Sequence, residues 1–140
     1  MKSHIFGIIG GLVFLTFGGN SIAQNNNDLD KCISDNYSTA DRAQCLQKIY
    51  KAEDVRLNAL YKRAISEAKN DSADSARDLK NSELAWIKFR DGWCNFQAKW
   101  EGGTLASVAR PYCLASVTRQ RNADLSFYAG EPKLISPWKN

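Results

Sequence analysis

The chain has 140 residues and a formal net charge of +4, and 44% of its residues are hydrophobic and 24% charged. This composition is ordinary for a globular protein and excludes a disordered chain, a collagen-like repeat and a multi-domain enzyme. The single histidine, His4, and the single methionine, Met1, both lie within the first four residues.

The N-terminus has the pattern of a cleaved secretory signal peptide. Lys2 precedes an almost uninterrupted apolar run at residues 5–17, and residues 21–23 place small side chains at the −3 and −1 positions of a cleavage site. The alternative is a membrane anchor, but the run is shorter than the roughly 20 residues that a spanning helix needs. We therefore expect residues 1–23 to be removed, which predicts a periplasmic or secreted protein without a stable membrane anchor.

The cysteines of the remaining chain favour disulfide bonds. The predicted leader contains one basic residue and no acidic ones, so 18 basic and 15 acidic residues remain and the net charge of residues 24–140 is +3. An even cysteine count in an exported chain indicates disulfides, and four cysteines allow three connectivities. A metal site is not expected because there is no CxxC pair and no histidine after the leader. The four are Cys32, Cys45, Cys94 and Cys113.

Residues 24–37 are polar, and we expect a flexible N-terminal segment with Cys32 in a loop. A first helix is predicted from Ser38, because Ser38 and Asp41 resemble a capping box. Its apolar residues recur at steps of three and four as far as Ala68, and the Asn-Asp-Ser sequence at 70–72 ends it.

A second helix is predicted over residues 72–100, and five aromatic residues recur along one of its faces. Such a stripe could be a ligand platform, but a helix needs one apolar stripe in order to pack, and we interpret the first three as core. The last one, at the helix end, is expected to be partly exposed. The stripe consists of Trp86, Phe89, Trp93, Phe96 and Trp100.

The rest of the chain predicts a third helix. Gly102 and Gly103 suit a C-terminal cap of the second helix. Residues 105–110 are expected to form a short helical turn. Pro111 suits the first turn of a helix that runs to about residue 128. Gly130 then stops it. With no strand signal, the sequence predicts an all-α, small antiparallel bundle over residues 38–129 and an irregular tail over 130–140.

The glycine turn suggests how the cysteines pair. It makes the second and third helices antiparallel, so that Cys94 faces Cys113. Cys32, in the loop before the first helix, is expected to pair with Cys45 in the second turn of that helix. Each bond closes a loop of fewer than about 20 residues and contributes roughly 3 kcal/mol in the chain-entropy model.

The Cys94–Cys113 pairing also sets the register of the two helices. In that register Arg121 lies opposite Trp86 and Thr118 opposite Phe89. Arg121 is then expected either to stack on the Trp86 indole or to reach Glu83, one turn away.

The residues offer little catalytic chemistry. Without histidine or a free thiol there is no activated nucleophile, and no phosphate-binding or dinucleotide motif is present. The charges are interspersed, which argues against nucleic-acid binding. We interpret Arg90-Asp91 as a structural pair, with Arg90 bonding a carboxylate or carbonyl on a neighbouring helix. The sequence therefore predicts a protein that is not an enzyme and that needs no metal or cofactor.

One candidate surface for partner binding is the glycine-rich loop at the end of the second helix. Loops on rigid scaffolds are common binding sites, although these glycines could merely turn the chain. The aromatic stripe is not expected to contact a partner, because the bundle would bury it. The loop consists of Glu101, Gly102, Gly103 and Thr104.

The other candidate surface is an acidic cluster near the turn between the first two helices, formed by Asp71, Asp74 and Asp78. A basic partner could be captured there, but the net positive charge opposes its approach. The loop is therefore slightly favoured.

Two motifs in the second half of the chain combine in one pattern. WIxFRDxxC runs from Trp86 to Cys94, and GGT followed by CLxxxTxxR runs from Gly102 to Arg121. Together they resemble the LprI-like lysozyme-inhibitor family, although Ser82-Glu83 stands where that pattern usually has a small residue and glutamine. Outside the cysteines and glycines, the motif residues that look structural are Trp86, Phe89, Arg90, Asp91, Thr118 and Arg121.

The resemblance implies a small helical protein of the bacterial cell envelope whose partner is a lysozyme or another peptidoglycan-cleaving enzyme. Similar domains serve as immunity proteins against cell-wall-degrading toxins of neighbouring bacteria, which is one alternative function. A structural or stress protein of the envelope with no enzyme target is another. The motifs do not identify an inhibitory surface.

Overall fold

The computed structural model describes residues 26–130, which form an all-α bundle without strands. The predicted signal peptide and the residues after Gly130 lie outside the described range. Between residues 26 and 130, no helix is long and apolar enough to cross a membrane. The elements are α1 (Asn27–Ser34), α2 (Thr39–Asp71), α3 (Ala73–Glu101), a 3₁₀ turn (Gly103–Leu105) and α4 (Ala106–Tyr128).

The predicted helix boundaries follow from side-chain and glycine caps. Ser38 Oγ accepts a hydrogen bond from the Asp41 N–H at 3.0 Å, which confirms the N-cap of α2. Ser72 caps two helices: its N–H donates to Ala68 O at 3.0 Å, and its Oγ accepts from the Ser75 N–H at 3.0 Å. Only this residue separates α2 from α3, so the two long helices turn back on each other abruptly. Gly102, with φ 68°, ends α3.

The flexible segment expected over residues 24–37 is instead interrupted by helix α1. Leu29, Cys32 and Ile33 lie on one side of this helix, where Leu29 and Cys32 are buried against α2 and α4. The polar residues between them face solvent, and because they make the segment polar overall, the sequence gives little sign of this short apolar face. Two hydrogen bonds from Arg119 of α4 to Asp28, both 2.8 Å, hold the helix in place.

The sequence had suggested that Pro111 lies in the first turn of a helix, but the structure places it inside α4. The expected short turn over residues 105–110 is therefore mostly the start of α4 itself. A proline within a helix removes one donor, here the one that would bond the Ser107 carbonyl. Ser107 is an exposed residue on the solvent side of α4. Its carbonyl is therefore not left unpaired in the core, and the helix continues through the proline.

Both predicted disulfides are confirmed. Cys32–Cys45 joins α1 to α2 with a Cα–Cα distance of 5.6 Å, and Cys94–Cys113 joins α3 to α4 at 5.5 Å. All four cysteines are thus bonded.

Helix α4 packs against every other element and most extensively against α2. Its buried residues divide the core into three clusters along the bundle. The first lies where α4 ends, the second beneath α1, and the third around the Cys94–Cys113 bond. Their buried members are Leu57, Leu60, Ala64, Leu125 and Ala129; Leu29, Cys32, Leu46 and Ala115; and Cys94, Cys113 and Leu114.

Candidate functional site

The aromatic stripe of α3 is largely exposed, which corrects the prediction that its first three rings form core. Phe89 is 57% exposed and Trp93 is 43% exposed, whereas Trp86 is half-buried. Trp100 is 79% exposed, as expected for the helix end. Large apolar side chains that are exposed together on one face commonly mark an interaction surface.

The Cys94–Cys113 bond explains why the stripe faces outward. It turns Cys94 toward α4, and each residue advances about 100° around a helix axis. Trp93 therefore lies about 100° away from the inward direction. Residues four positions before and after Cys94 do face inward, and these are Arg90 and Ala98, both buried. The sequence could have indicated this, because the aromatic residues do not lie at the helical spacing of three or four from Cys94 that would place them on its inward face.

Arg90 occupies the core position that the stripe had been expected to fill. It is only 7% exposed, and its guanidinium donates to Asp54 of α2 at 3.1 Å and to Asp91 at 2.9 Å. The bond to Asp54 is the contact with a neighbouring helix expected for Arg90. Its guanidinium carbon also lies 5.2 Å from the centroid of the Trp86 ring. The Arg90-Asp91 motif thus joins α3 to α2.

Arg121 makes both of the contacts that the sequence offered as alternatives. Its Nε and Nη2 donate to Glu83 Oε2 at 2.9 and 2.8 Å, and its guanidinium carbon lies 5.8 Å from the Trp86 ring centroid. Thr118, one turn earlier on α4, is fully buried, whereas Phe89, which the predicted register places opposite it, is exposed. Thr118 and Arg121 therefore face the bundle, as Trp86 does in part, whereas Phe89 faces solvent.

A third ion pair, which is partly buried, was not foreseen. Arg119 donates to Glu53 of α2 at 2.7 Å as well as to Asp28 of α1. The hydrogen bond from Arg119 holds the pKa of Asp28 below its usual range. Glu53 also accepts from Asn122 Nδ2 at 2.8 Å. Nothing in the local spacing of these residues indicates that three helices meet here.

A cavity of about 360 Å³ lies between α2 and α3, next to these ion pairs. Asp54, Glu83 and Arg90 line it, and each is already bonded to an oppositely charged side chain. Within residues 26–130, no group of three or more His, Cys, Asp or Glu side chains is placed to hold a metal ion. These ion pairs therefore link α3 to α2 and to α4.

A groove lies between the C-terminal half of α3 and the N-terminal half of α4, with α1 at one side. We call it the aromatic groove. Its volume is about 600 Å³. It is lined by Ile33, Trp93, Phe96, Gln97, Trp100, Glu101, Leu105, Val108, Ala109 and Tyr112.

Three rings follow one another along the α3 wall of the aromatic groove. The Trp93 and Phe96 ring centroids lie 5.6 Å apart with an interplanar angle of 28°, and the Phe96 and Trp100 centroids lie 6.0 Å apart at 39°. Leu105 of the 3₁₀ turn, also exposed, extends the apolar surface around the end of the helix. The rings offer a continuous aromatic surface to a partner.

Both disulfides and two side-chain bonds hold the walls of the aromatic groove in place. Arg110 Nε donates to Asn95 Oδ1 at 2.8 Å, which joins α4 to α3. The Tyr112 hydroxyl donates to Asp30 of α1 at 3.1 Å. Burial, and then this hydrogen bond to Asp30, raise the pKa of Tyr112. A surface fixed in this way loses little conformational entropy when it binds.

The glycine-rich loop lies at the mouth of the aromatic groove. Glu101 lines the groove directly, and Gly102 and Gly103 turn the chain with φ values of 68° and 50°. Thr104 is exposed, and its carbonyl accepts from the Ser107 hydroxyl at 2.7 Å. The structure thus places the loop and the exposed stripe side by side, although the sequence had treated them as unrelated.

The acidic cluster lies at the other end of α3. Asp71, Asp74 and Asp78 are all exposed, but Arg77 bonds Asp74 at 2.7 Å and Asp78 at 3.4 Å, while Asp71 accepts from the Ser75 hydroxyl. This basic neighbour partly neutralises the cluster.

Beside the acidic cluster lies a second surface depression of about 480 Å³, which we call the acidic groove. It runs between the end of α2, the start of α3 and the last residue of α4. It is lined by Ala64, Glu67, Ala68, Asp71, Ser75, Asp78, Leu79 and Tyr128.

Known proteins resemble this chain at the level of sequence. The uncharacterized protein R02472 of Rhizobium meliloti (strain 1021) is 32% identical over 94 residues, which span 58% of this chain and 66% of that protein, just under two thirds of its length. No solved structure gives a significant match. Residues 23–125, which include both disulfides and the whole aromatic groove, match the family described as "Lysozyme inhibitor LprI", and the chain therefore belongs to the LprI lysozyme inhibitor family.

Proposed function

We propose that the protein is exported to the cell envelope and inhibits a peptidoglycan-cleaving hydrolase by pressing the aromatic groove and the adjoining glycine-rich loop against the enzyme. Membership of the LprI family supports a role in lysozyme inhibition. The observation that carries the choice of surface is the exposure of Trp93, Phe96 and Trp100 on one wall of a disulfide-held groove.

The chemistry of this surface suits a protein partner. Interface energy concentrates in a few aromatic anchors that become fully desolvated on binding. Trp100, the most exposed of the three rings, stands next to Gly102 and Gly103, where the chain turns sharply. This corner can enter a substrate cleft, and the apolar groove behind it can receive a side chain from the rim of that cleft.

An apolar contact also explains how a positively charged inhibitor could bind a positively charged enzyme. Residues 24–140 carry 18 basic and 15 acidic residues and hence a net charge of +3, so a basic lysozyme is repelled at long range. Binding through desolvated rings does not depend on charge attraction, since it is driven by apolar area removed from water. The aromatic groove therefore suits a basic target better than the acidic cluster does.

The test is an inhibition assay with the disulfide-bonded chain against a panel of muramidases. The panel includes animal lysozymes of several types and the peptidoglycan-degrading toxins of neighbouring bacteria, because the same surface would serve an immunity protein. Trp100→Ala is expected to weaken inhibition at least tenfold, because truncation of an interface anchor costs about 2 kcal/mol or more.

Phe89→Ala is the matched control. Phe89 belongs to the same stripe and is similarly exposed, but it does not line the aromatic groove. Its truncation is expected to leave inhibition unchanged. Equal losses for Phe89→Ala and Trp100→Ala would contradict the choice of surface, and a folded chain that inhibits no member of the panel would contradict the function.

A further inference from the structure

The aromatic groove carries a negative charge among its apolar walls. Among the described residues that line it, Glu101 is the one with a charged side chain. Lys31, Lys99 and Arg110 each lie within two residues of a lining residue along the chain, but none of them lines the groove, and Arg110 is bonded to Asn95. In a chain with a net positive charge, this groove is therefore locally suited to a cation.

Hydrogen-bond acceptors lie beside the rings on the same helix. Trp93, Gln97 and Glu101 follow one another at intervals of four along α3, so their side chains share one face of the helix. Within residues 26–130, the side chains of Gln97 and Glu101 make no hydrogen bond or ion pair. A second carboxylate, that of Asp30, is joined to the groove through Tyr112, whose hydroxyl donates to it at 3.1 Å.

A partner that covers the aromatic groove removes water from these acceptors. A purely apolar side chain would leave the Glu101 carboxylate without a donor in a less polar environment, which is costly. A carboxylate from the partner would be repelled by Glu101 and by the negative faces of the rings. A cation bonds the carboxylate and is attracted by the ring faces, so a cationic side chain complements the groove best.

An arginine side chain fits this arrangement better than a lysine side chain. The guanidinium is planar and weakly hydrated, stacks on aromatic rings and presents several donors, whereas the lysine ammonium is compact and strongly hydrated. Trp93 and Trp100 offer flat faces, and Gln97 and Glu101 offer acceptors. We propose that the aromatic groove binds an arginine side chain of its protein partner, with the guanidinium stacked on the tryptophans and bonded to Glu101. This inference rests on the proposed function, in which that arginine belongs to the hydrolase.

A capped amino acid tests the inference without any hydrolase. N-acetyl-arginine methylamide is titrated into the disulfide-bonded chain and compared with N-acetyl-citrulline methylamide, which has nearly the same shape but no charge. Nuclear magnetic resonance follows the indole N–H signals. The arginine probe is expected to shift the signals of Trp93 and Trp100 but not that of Trp86, and to bind about fivefold more tightly than the citrulline probe. N-acetyl-lysine methylamide is expected to bind more weakly than the arginine probe.

A matched pair of variants identifies the carboxylate. Glu101→Gln keeps the size of the side chain and removes its charge, and it is expected to abolish the preference for arginine over citrulline. Glu67→Gln makes the same change at an exposed position of α2 and is expected to leave the preference unchanged. Equal affinities for the arginine and citrulline probes, or a preference that survives Glu101→Gln, would overturn the inference. A lysine probe that binds as tightly as the arginine probe would overturn the choice of a guanidinium.

A hydrolase that the chain inhibits supplies the second measurement. Glu101→Gln is expected to raise the dissociation rate about fivefold. The association rate should stay the same, because a single exposed charge is screened beyond about 8 Å. Inhibition that Glu101→Gln leaves unchanged would overturn this inference and leave the proposed function intact. If no hydrolase is inhibited, the proposed function fails, and the probe titration alone decides whether the groove binds arginine.

Discussion

The guanidinium carbon of Arg90 lies 5.2 Å from the centroid of the Trp86 ring. Arg121 approaches the same ring to 5.8 Å, so the half-buried indole contacts a cation from its own helix and a cation from α4. Each cation is held by a carboxylate, Asp54 for Arg90 and Glu83 for Arg121. Trp86 is thus the apolar centre of a polar junction between three helices.

Replacement of Trp86 by alanine is expected to lower the free energy of unfolding by about 2–4 kcal/mol, because the ring fills the junction and contacts both guanidinium groups. Trp100→Ala, at an exposed site, should change it by less than about 0.5 kcal/mol. Urea denaturation followed by circular dichroism measures both. Equal losses would mean that burial along the stripe has been misassigned.

The Glu83–Arg121 pair makes a different prediction. Glu83 is only 5% exposed, so Arg121→Leu leaves a buried carboxylate without its partner and should cost about 3–5 kcal/mol. The double variant Glu83→Leu/Arg121→Leu removes both charges and is expected to be more stable than Arg121→Leu alone. A double variant that is less stable than Arg121→Leu would contradict this account of the pair.

The bond between Arg119 and Asp28 predicts a dependence of stability on pH. Folding lowers the pKa of Asp28, so the unfolded chain takes up the proton first as the pH falls. The stability from this pair is complete above the ordinary aspartate pKa of about 3.9 and is lost as the pH falls through the lower folded value.

Asp28→Asn should therefore be less stable than the original chain at neutral pH, with a difference that shrinks below about pH 4. Thermal unfolding across pH 2–7 measures this difference. A difference that stays constant over the whole range would show that the carboxylate charge of Asp28 does not stabilise α1.

Salt dependence separates the two candidate binding surfaces. If the aromatic groove contacts the hydrolase, the association rate should change little as salt rises, whereas capture by exposed charges is screened beyond about 8 Å at physiological ionic strength. Replacing Asp71, Asp74 and Asp78 with asparagine should likewise leave the association rate and the melting temperature nearly unchanged. A marked fall in the association rate would identify the acidic cluster as the contact instead.

Local signals in the sequence predicted the framework of the fold well. Ser38, Ser72 and Gly102 stand at helix ends because their side chains or backbone freedom satisfy the unpaired groups there. The Cys94–Cys113 bond followed from the antiparallel turn between α3 and α4, and the Cys32–Cys45 bond from the place of both cysteines at the start of α2. Each of these features depends on residues that lie close together along the chain.

The features that the sequence did not reveal depend on distant contacts. The helix around Leu29 is held by a disulfide and by Arg119, which lies about 90 residues further along the chain. The outward direction of Trp93 depends on how Cys94 meets Cys113 across the hairpin. Periodicity locates an apolar stripe on a helix, but it does not tell which of two neighbouring faces packs.

Both disulfides join cysteines that are consecutive in the chain, across separations of 13 and 19 residues. An oxidase that couples thiols in the order in which they emerge during synthesis or translocation therefore makes both native bonds directly. No non-native pairing has to be reshuffled, so the chain can mature without a disulfide isomerase. Cys45 lies near the start of α2, so the Cys32–Cys45 bond can close before α4, the other support of α1, has been synthesised.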